Sequence, residues 1–198
     1  MDLCKSSPNC YGCVYIYTPP RLHSYPTPRQ CLTTSTGEAN SISDAFTAHP
    51  CRDPLQHTCK GNDCGGTYSE VRFAGDCDPD GCDFNPYRMG VRDFYGPGMT
   101  VDTDQKITVV TQFHGSGSSV EIEQFFVQGG KKIEMPDSTW DGIEGNSLTE
   151  GLCRDTKTVF DDRDRFNEVG GMAGVAESLG HPMVLVLSLW DDVSCSVF

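Results

Sequence analysis

The sequence predicts an all-β, loop-rich fold, and three observations predict it. Glycine and proline are frequent, 21 and 12 in 198 residues, so turns recur along the whole chain. Hydrophobic residues make up 37%, a low fraction that favours crosslinked loops and sheets over a helical bundle. The clearest periodic segments alternate with period 2, as half-buried strands do. The length suits one domain with its own core and is short for two.

Taken in order, residues 1 to 36 show no sustained period, and Pro19, Pro20, Pro26 and Pro28 interrupt the only apolar patch, Val14–Tyr17. This segment reads as irregular. Ser41–Phe46 reads as a short helical turn that Pro50 discourages from continuing. A cysteine-dense loop follows, and Gly90–Gly98 is a turn-rich connector anchored by Phe94 and Tyr95. Lys106–Phe113 is β-branched and aromatic, with Ile107, Val109, Thr111 and Phe113 on one face. Ser119–Gln128 is its partner, with Val120, Ile122 and Gln124 on one side and HGSGSS as the connecting hairpin loop. Gly129-Gly130 ends that strand, and Lys131–Met135 extends the meander. Asp137–Gly151 reads as loop with Trp140 as its large anchor. Gly171–Gly180 is the one helix, because Met172, Val175, Ala176 and Leu179 fall at i, i+3, i+4, i+7. Met183–Trp190, MVLVLSLW, reads as a buried strand.

The formal net charge of −13 argues against a nucleic-acid partner, whose phosphates require a basic surface. No apolar run approaches the ~20 residues of a membrane span. The N-terminal MDLCKSSPNCYGC has one lysine and no apolar stretch, so it is not a secretory signal. Eleven cysteines nevertheless point to an oxidising compartment. Cys51, Cys59, Cys64, Cys77, Cys82 and Cys153 form an even set, whereas Cys4, Cys10, Cys13, Cys31 and Cys195 lie outside it towards the ends.

Several constellations within 38–88 carry chemistry. Asp76, Asp78, Asp80 and Gly81 start like a calcium loop, but the position that needs a bidentate glutamate is Tyr87. Cys59-x4-Cys64 and Cys77-x4-Cys82, with His49 and His57 nearby, suggest zinc less well than disulfides, because structural zinc takes tighter pairs. Arg72, Asp78, Asp80, Asp83 and Arg88 fit two readings equally. One is a solvated loop of weak ion pairs. The other is a polar patch for many hydroxyls, with Tyr68, Phe73 or Trp190 as stacking platforms. Glu38 needs a second carboxylate ~5 Å away to act in a retaining glycosidase, and no acid lies between Asp2 and Glu38. There is no G-x-S-x-G elbow for a serine hydrolase.

The segments EANSIS, HPC, CGGTYS, CDPDGCDFNPYR, FYGPG, TVVTQF and MVLVLSLWDD occur in an order and spacing that resembles glycoside hydrolase family 7, the fungal cellobiohydrolases and endoglucanases. The resemblance runs over 37–192, leaving 1–36 and 193–198 divergent, and spans less than half of a family catalytic domain. It implies a partial concanavalin-like β-jelly roll: two curved antiparallel sheets, long disulfide-linked loops and one short helix. It implies retaining hydrolysis of β-1,4-glucosidic bonds of cellulose, outside the cell, with no cofactor and no metal, by a monomer. In the family motif E-x-D-x-x-E-A-N, the acid/base matches Glu38, whereas the nucleophile position holds Thr33 and the assisting Asp position holds Ser35. Thr33 is a poor nucleophile without an activating base, so the chain is expected to be inactive. A non-catalytic β-glucan-binding protein is the alternative. His49, Thr67, Tyr68, Arg72, Asp80, Asp83 and Trp190 match substrate-binding positions, and the GGTYS loop tilts the reading to the exo-acting type. The family pairing implies Cys51–Cys77, Cys59–Cys64 and Cys82–Cys153.

Overall fold

The computed structural model describes residues 10–17, 29–30, 33–55, 58–66 and 69–191. Strands β1 (Cys10–Tyr17), β2 (Arg29–Gln30), β3 (Thr33–Ala39), β4 (Asp44–His49), β5 (Thr58–Cys59) and β6 (Cys82–Phe84) occupy the first half. Then come β7 (Tyr95–Gly96), β8 (Val101–Asp102), β9 (Thr108–His114), β10 (Glu121–Gln128), β11 (Lys131–Glu134) and, after the helices, β12 (Val184–Asp191). The main sheet has five antiparallel strands in the order β12-β1-β3-β4-β6, and a second, antiparallel, has β11-β10-β9. The chain is thus mostly sheet, with few short helices.

The β9–β10–β11 meander follows the expected alternation. Val120, Ile122, Gln124 and Phe126 are buried on one side of β10, and β9 pairs with it from Glu121↔His114 to Val127↔Thr108. Gly129 and Gly130 take φ of 58° and 76°, the two-residue turn whose twist suits a hairpin.

One apolar cluster joins both sheets to the helices. Phe46 and Phe84 of the main sheet, Ile122 and Phe126 of the second, and Phe166, Met172 and Val175 are buried to within 2% exposure. Each such side chain contributes about 1.5–3 kcal/mol of burial free energy. The Phe46 and Phe84 rings meet at 5.9 Å between centroids. Cys82–Cys153 ties β6 to the helical layer, Cys51–Cys77 joins the end of β4 to the following loop, and Cys59–Cys64 closes a short loop.

Four local expectations need correction. The irregular reading of residues 1–36 gives way to strands at β1 and in the first part of β3. Val14–Tyr17 is a strand because β12 and β3 pair with it on either side, partners that no local window includes. The helical turn at Ser41–Phe46 is instead a turn followed by β4. Asn40 Oδ1 accepts from the Ile42 and Ser43 amides, both at 2.8 Å, and closes the β3–β4 connection. Three helices are present among the described residues: α1 (Glu150–Val159), α2 (Arg165–Glu168) and α3 (Gly171–Leu179). Only α3 is expected from the sequence. The EGLCRDTKTV of α1 is polar overall, with only Leu152, Cys153 and Val159 apolar, but Thr149 caps it by accepting from the Leu152 amide, and it buries Leu152, Cys153 and Thr156. Finally, β12 is not wholly buried: Leu185 and Leu187 are 62% and 68% exposed, since among the described residues β12 is an edge strand with no element covering that face. No helix among the described residues is long and apolar enough to cross a membrane.

Candidate active site

The site is organised by one irregularity in β3. Along a regular strand, residues five apart point to opposite faces, because side chains alternate with period 2. Here Thr33, Ser35 and Glu38 stand opposite His49, Thr47 and Ala45 of β4, with a register shift between Ser35 and Glu38. The extra residue of that bulge returns Glu38 to the face that positions 33 and 35 occupy. The β4 alternation identifies the face: Phe46 and Ala48 are fully buried in the core, whereas Thr47 and His49 belong to the other side. Thr47 stands opposite Asp83 of β6, adding a carboxylate to the same face. On the far flank, Cys13 of β1 pairs with both Glu38 and Ser188, and Trp190 follows two positions later in β12, at the same-face register. The half-buried Glu38 thus shares one face of the sheet with His49 and Asp83, each on a different cross-strand row.

His49 is held by contacts with Asp78 and Gly81 that the sequence alone does not show. Its Nδ1 is 3.0 Å from the Asp78 carbonyl oxygen. Gly81, at φ 74°, lies against the ring: a Cβ there would meet His49 Nδ1 and Cε1 at 2.8 Å and Thr47 Cγ2 at 2.6 Å. Only glycine fits both the space and the backbone. Asp78 is 2% exposed, and its Oδ1 accepts from the Asp80 amide at 3.1 Å. Burial raises its carboxyl above the ordinary range, opposed by the Asp80 amide and the charges of His49 and Lys157. The signal for this turn in the sequence is DPDG at 78–81, whose Pro and Gly favour a turn.

Arg72 and Asp80 form an ion pair at the surface, with Arg72 Nε donating to Asp80 Oδ1 at 2.8 Å. Asp83 accepts from Arg88 at 2.7 Å, and Arg88 also reaches Asp162 at 3.0 Å. The Arg88 guanidinium lies 4.6 Å from the Phe160 ring centroid, and Trp140 Nε1 donates to the Arg88 carbonyl at 2.8 Å. Trp140, the expected loop anchor, is half exposed and packs edge-on against Phe160. Thr67 and Tyr68 lie outside the described residues, as does His57. A cavity of about 590 Å³ opens elsewhere, between the β9–β10 connection and α3, lined by Phe113, Val120, Ala176 and Leu179. None of the expected site residues lines it.

Behind the face, Asp44 is buried, with one carboxylate oxygen unpartnered among the described residues. Burial pushes its pKa up to about 7. The chemistry within reach of the face is therefore a carboxyl able to give or take a proton at Glu38, an imidazole, and paired Arg/Asp groups suited to hydroxyls.

A family model described as glycosyl hydrolase family 7 matches residues 28–198. Among solved structures, a cellobiohydrolase from Melanocarpus albomyces complexed with cellotetraose is 48% identical, with a TM-score of 0.78 over 83% of this chain and 38% of that one. A family 7 cellobiohydrolase from Daphnia pulex is 39% identical, with a TM-score of 0.77 over 83% and 39%. An endocellulase from Humicola insolens is 25% identical, with a TM-score of 0.80 over 98% and 55%. The chain thus spans between about two-fifths and just over half of the length of these structures.

Proposed function

Because the chain belongs to glycosyl hydrolase family 7, we propose that its Glu38–His49–Asp83 face binds a β-1,4-glucan such as cellulose on the leaving-group side of the scissile bond. The observation that carries this reading is the β3 bulge, which sets Glu38 on one face with positions 33 and 35 and with the β4 row of Ala45, Thr47 and His49. Glu38 is the general acid/base. Arg72, Asp80 and Asp83 hold the departing disaccharide, Thr67 and Tyr68 add to its binding, and Trp190 serves as a platform beyond the cleaved bond. The similarity to cellobiohydrolases favours an exo-acting parent activity, exerted outside the cell by a monomer.

Retaining hydrolysis needs a second carboxylate ~5 Å from the acid/base to form the glycosyl-enzyme. Position 33 offers a hydroxyl, and removal of one member of such a unit abolishes most of the rate. The chain therefore binds without turnover. A catalytic and a purely binding protein differ at Thr33 and Ser35, and calorimetry with cellobiose beside a chromogenic cellobioside assay separates them. Saturable binding with no hydrolysis supports the proposal. Absence of binding defeats it, and hydrolysis by the unaltered chain overturns the role assigned to position 33.

A further inference from the structure

We infer that the Asp78 carbonyl locks His49 in the Nδ1–H tautomer, making Nε2 a hydrogen-bond acceptor for a sugar hydroxyl, with Asp78 and Gly81 as positioning residues. A carbonyl oxygen can only accept, so the 3.0 Å contact requires Nδ1 to carry the proton. A neutral imidazole has one donor and one acceptor, which leaves Nε2 unprotonated. Nε2 has no hydrogen-bond partner among the described residues, which leaves its lone pair available to a ligand.

The carbonyl is itself held from several directions. The Asp78 amide donates to Pro50 O at 2.9 Å. Its neighbour Cys77 is bonded to Cys51, two residues beyond His49. The buried Asp78 carboxylate accepts from the Asp80 amide, which fixes the turn leading to Gly81. Gly81 lies along the Nδ1–Cε1 edge of the ring, where any Cβ would displace it. A free imidazole in water interconverts its tautomers; an acceptor-only carbonyl fixed at Nδ1 favours the one with the proton there. The chemical consequence is selectivity. An acceptor at Nε2 favours a hydroxyl that donates and disfavours a ligand that presents only acceptors. The inference rests on the proposed reading of the site for the identity of the ligand, a sugar hydroxyl, but not for the tautomer.

Two-bond ¹H–¹⁵N spectra of the uniformly labelled full chain at pH 8 read the tautomer directly, with His49 identified by the signal missing from His49→Gln. The expected result is a pyrrole-type Nδ1 and a pyridine-type Nε2. Cellobiose should then shift the Nε2 resonance while leaving Nδ1 in place. Asp78→Asn, which keeps the side-chain acceptor, should preserve the pattern. Asp78→Ala and Gly81→Ala should give a tautomer mixture. A pyrrole-type Nε2 in the unaltered protein overturns the inference whether or not the sugar binds. A pyridine-type Nε2 that ignores cellobiose upholds the tautomer and sinks the sugar-site reading instead.

Discussion

One row of residues crosses the main sheet and passes from open solvent to dry core. Leu185 of β12 pairs with Ile16, Ile16 with Thr34, Thr34 with Ala48, and Ala48 with Cys82 of β6. Leu185 is 62% exposed, whereas Ala48 and Cys82 are at 0% and 1%. The row is continuous in register and alternates with the candidate active face, so backbone geometry does not explain the difference. Cover does. At the β4–β6 end the inner face lies in the cluster with Leu152 and Cys153 of α1 and Met172 and Val175 of α3. At the β12 end no described element covers the leucines. The candidate site is therefore anchored chiefly from the β4–β6 side, where its His49 and Asp83 reside.

Core truncation at the covered end should have the largest effect. Phe46→Ala removes a fully buried ring and should destabilise the fold by about 3–5 kcal/mol in denaturant melts. A loss below about 1 kcal/mol would mean that this end is not the anchored one. Next comes the bridge that fastens cover to sheet. Replacing Cys82 and Cys153 together by alanine, at a sequence separation of 71, should remove about 2–5 kcal/mol. Differential scanning calorimetry of the double variant checks this.

Asp44 tests the same region through pH. Its folded pKa of about 7 lies above the unfolded value, so its contribution to stability is fully present below about pH 4 and is lost as pH rises through 7. The slope approaches about 1.4 kcal/mol per pH unit within that window. Asp44→Asn should flatten this part of the profile, and an unchanged slope would show that Asp44 titrates normally. The smallest stability effect belongs to the uncovered end: Leu185→Ser should change stability by no more than about 0.5 kcal/mol. Together with Leu187→Ser it should raise the soluble yield, by removing an exposed apolar row from an edge strand. A large loss of stability would indicate that something covers those leucines in solution.

This contrast also separates what was legible in the sequence from what was not. The β9–β10–β11 meander could be read locally, because Val120, Ile122 and Gln124 alternate and glycines punctuate the strands. The helix at Gly171–Leu179 could be read for the same reason, from Met172 and Val175 at helical spacing. By contrast, β1 depends on partners more than 150 residues away in β12, and its prolines fall after the strand rather than within it. The exposure of β12 was illegible because an apolar run reports what a strand can bury, not whether anything covers it. At the site, Glu38 and His49 were recognisable by motif, but the bulge that brings position 38 to the face of position 33 is a property of pairing. The Asp78–His49–Gly81 arrangement was hidden for the same reason: a backbone carbonyl and a missing Cβ leave little trace in side-chain chemistry.

Residue-resolved cellobiose titration by amide chemical shifts tests most directly whether the Glu38–His49–Asp83 face is a glucan site. Saturable shifts should concentrate at Thr47, His49, Asp80 and Asp83 and weaken with Arg72→Ala. Shifts absent from that face, or gathered instead around Phe113 and Ala176, would contradict it.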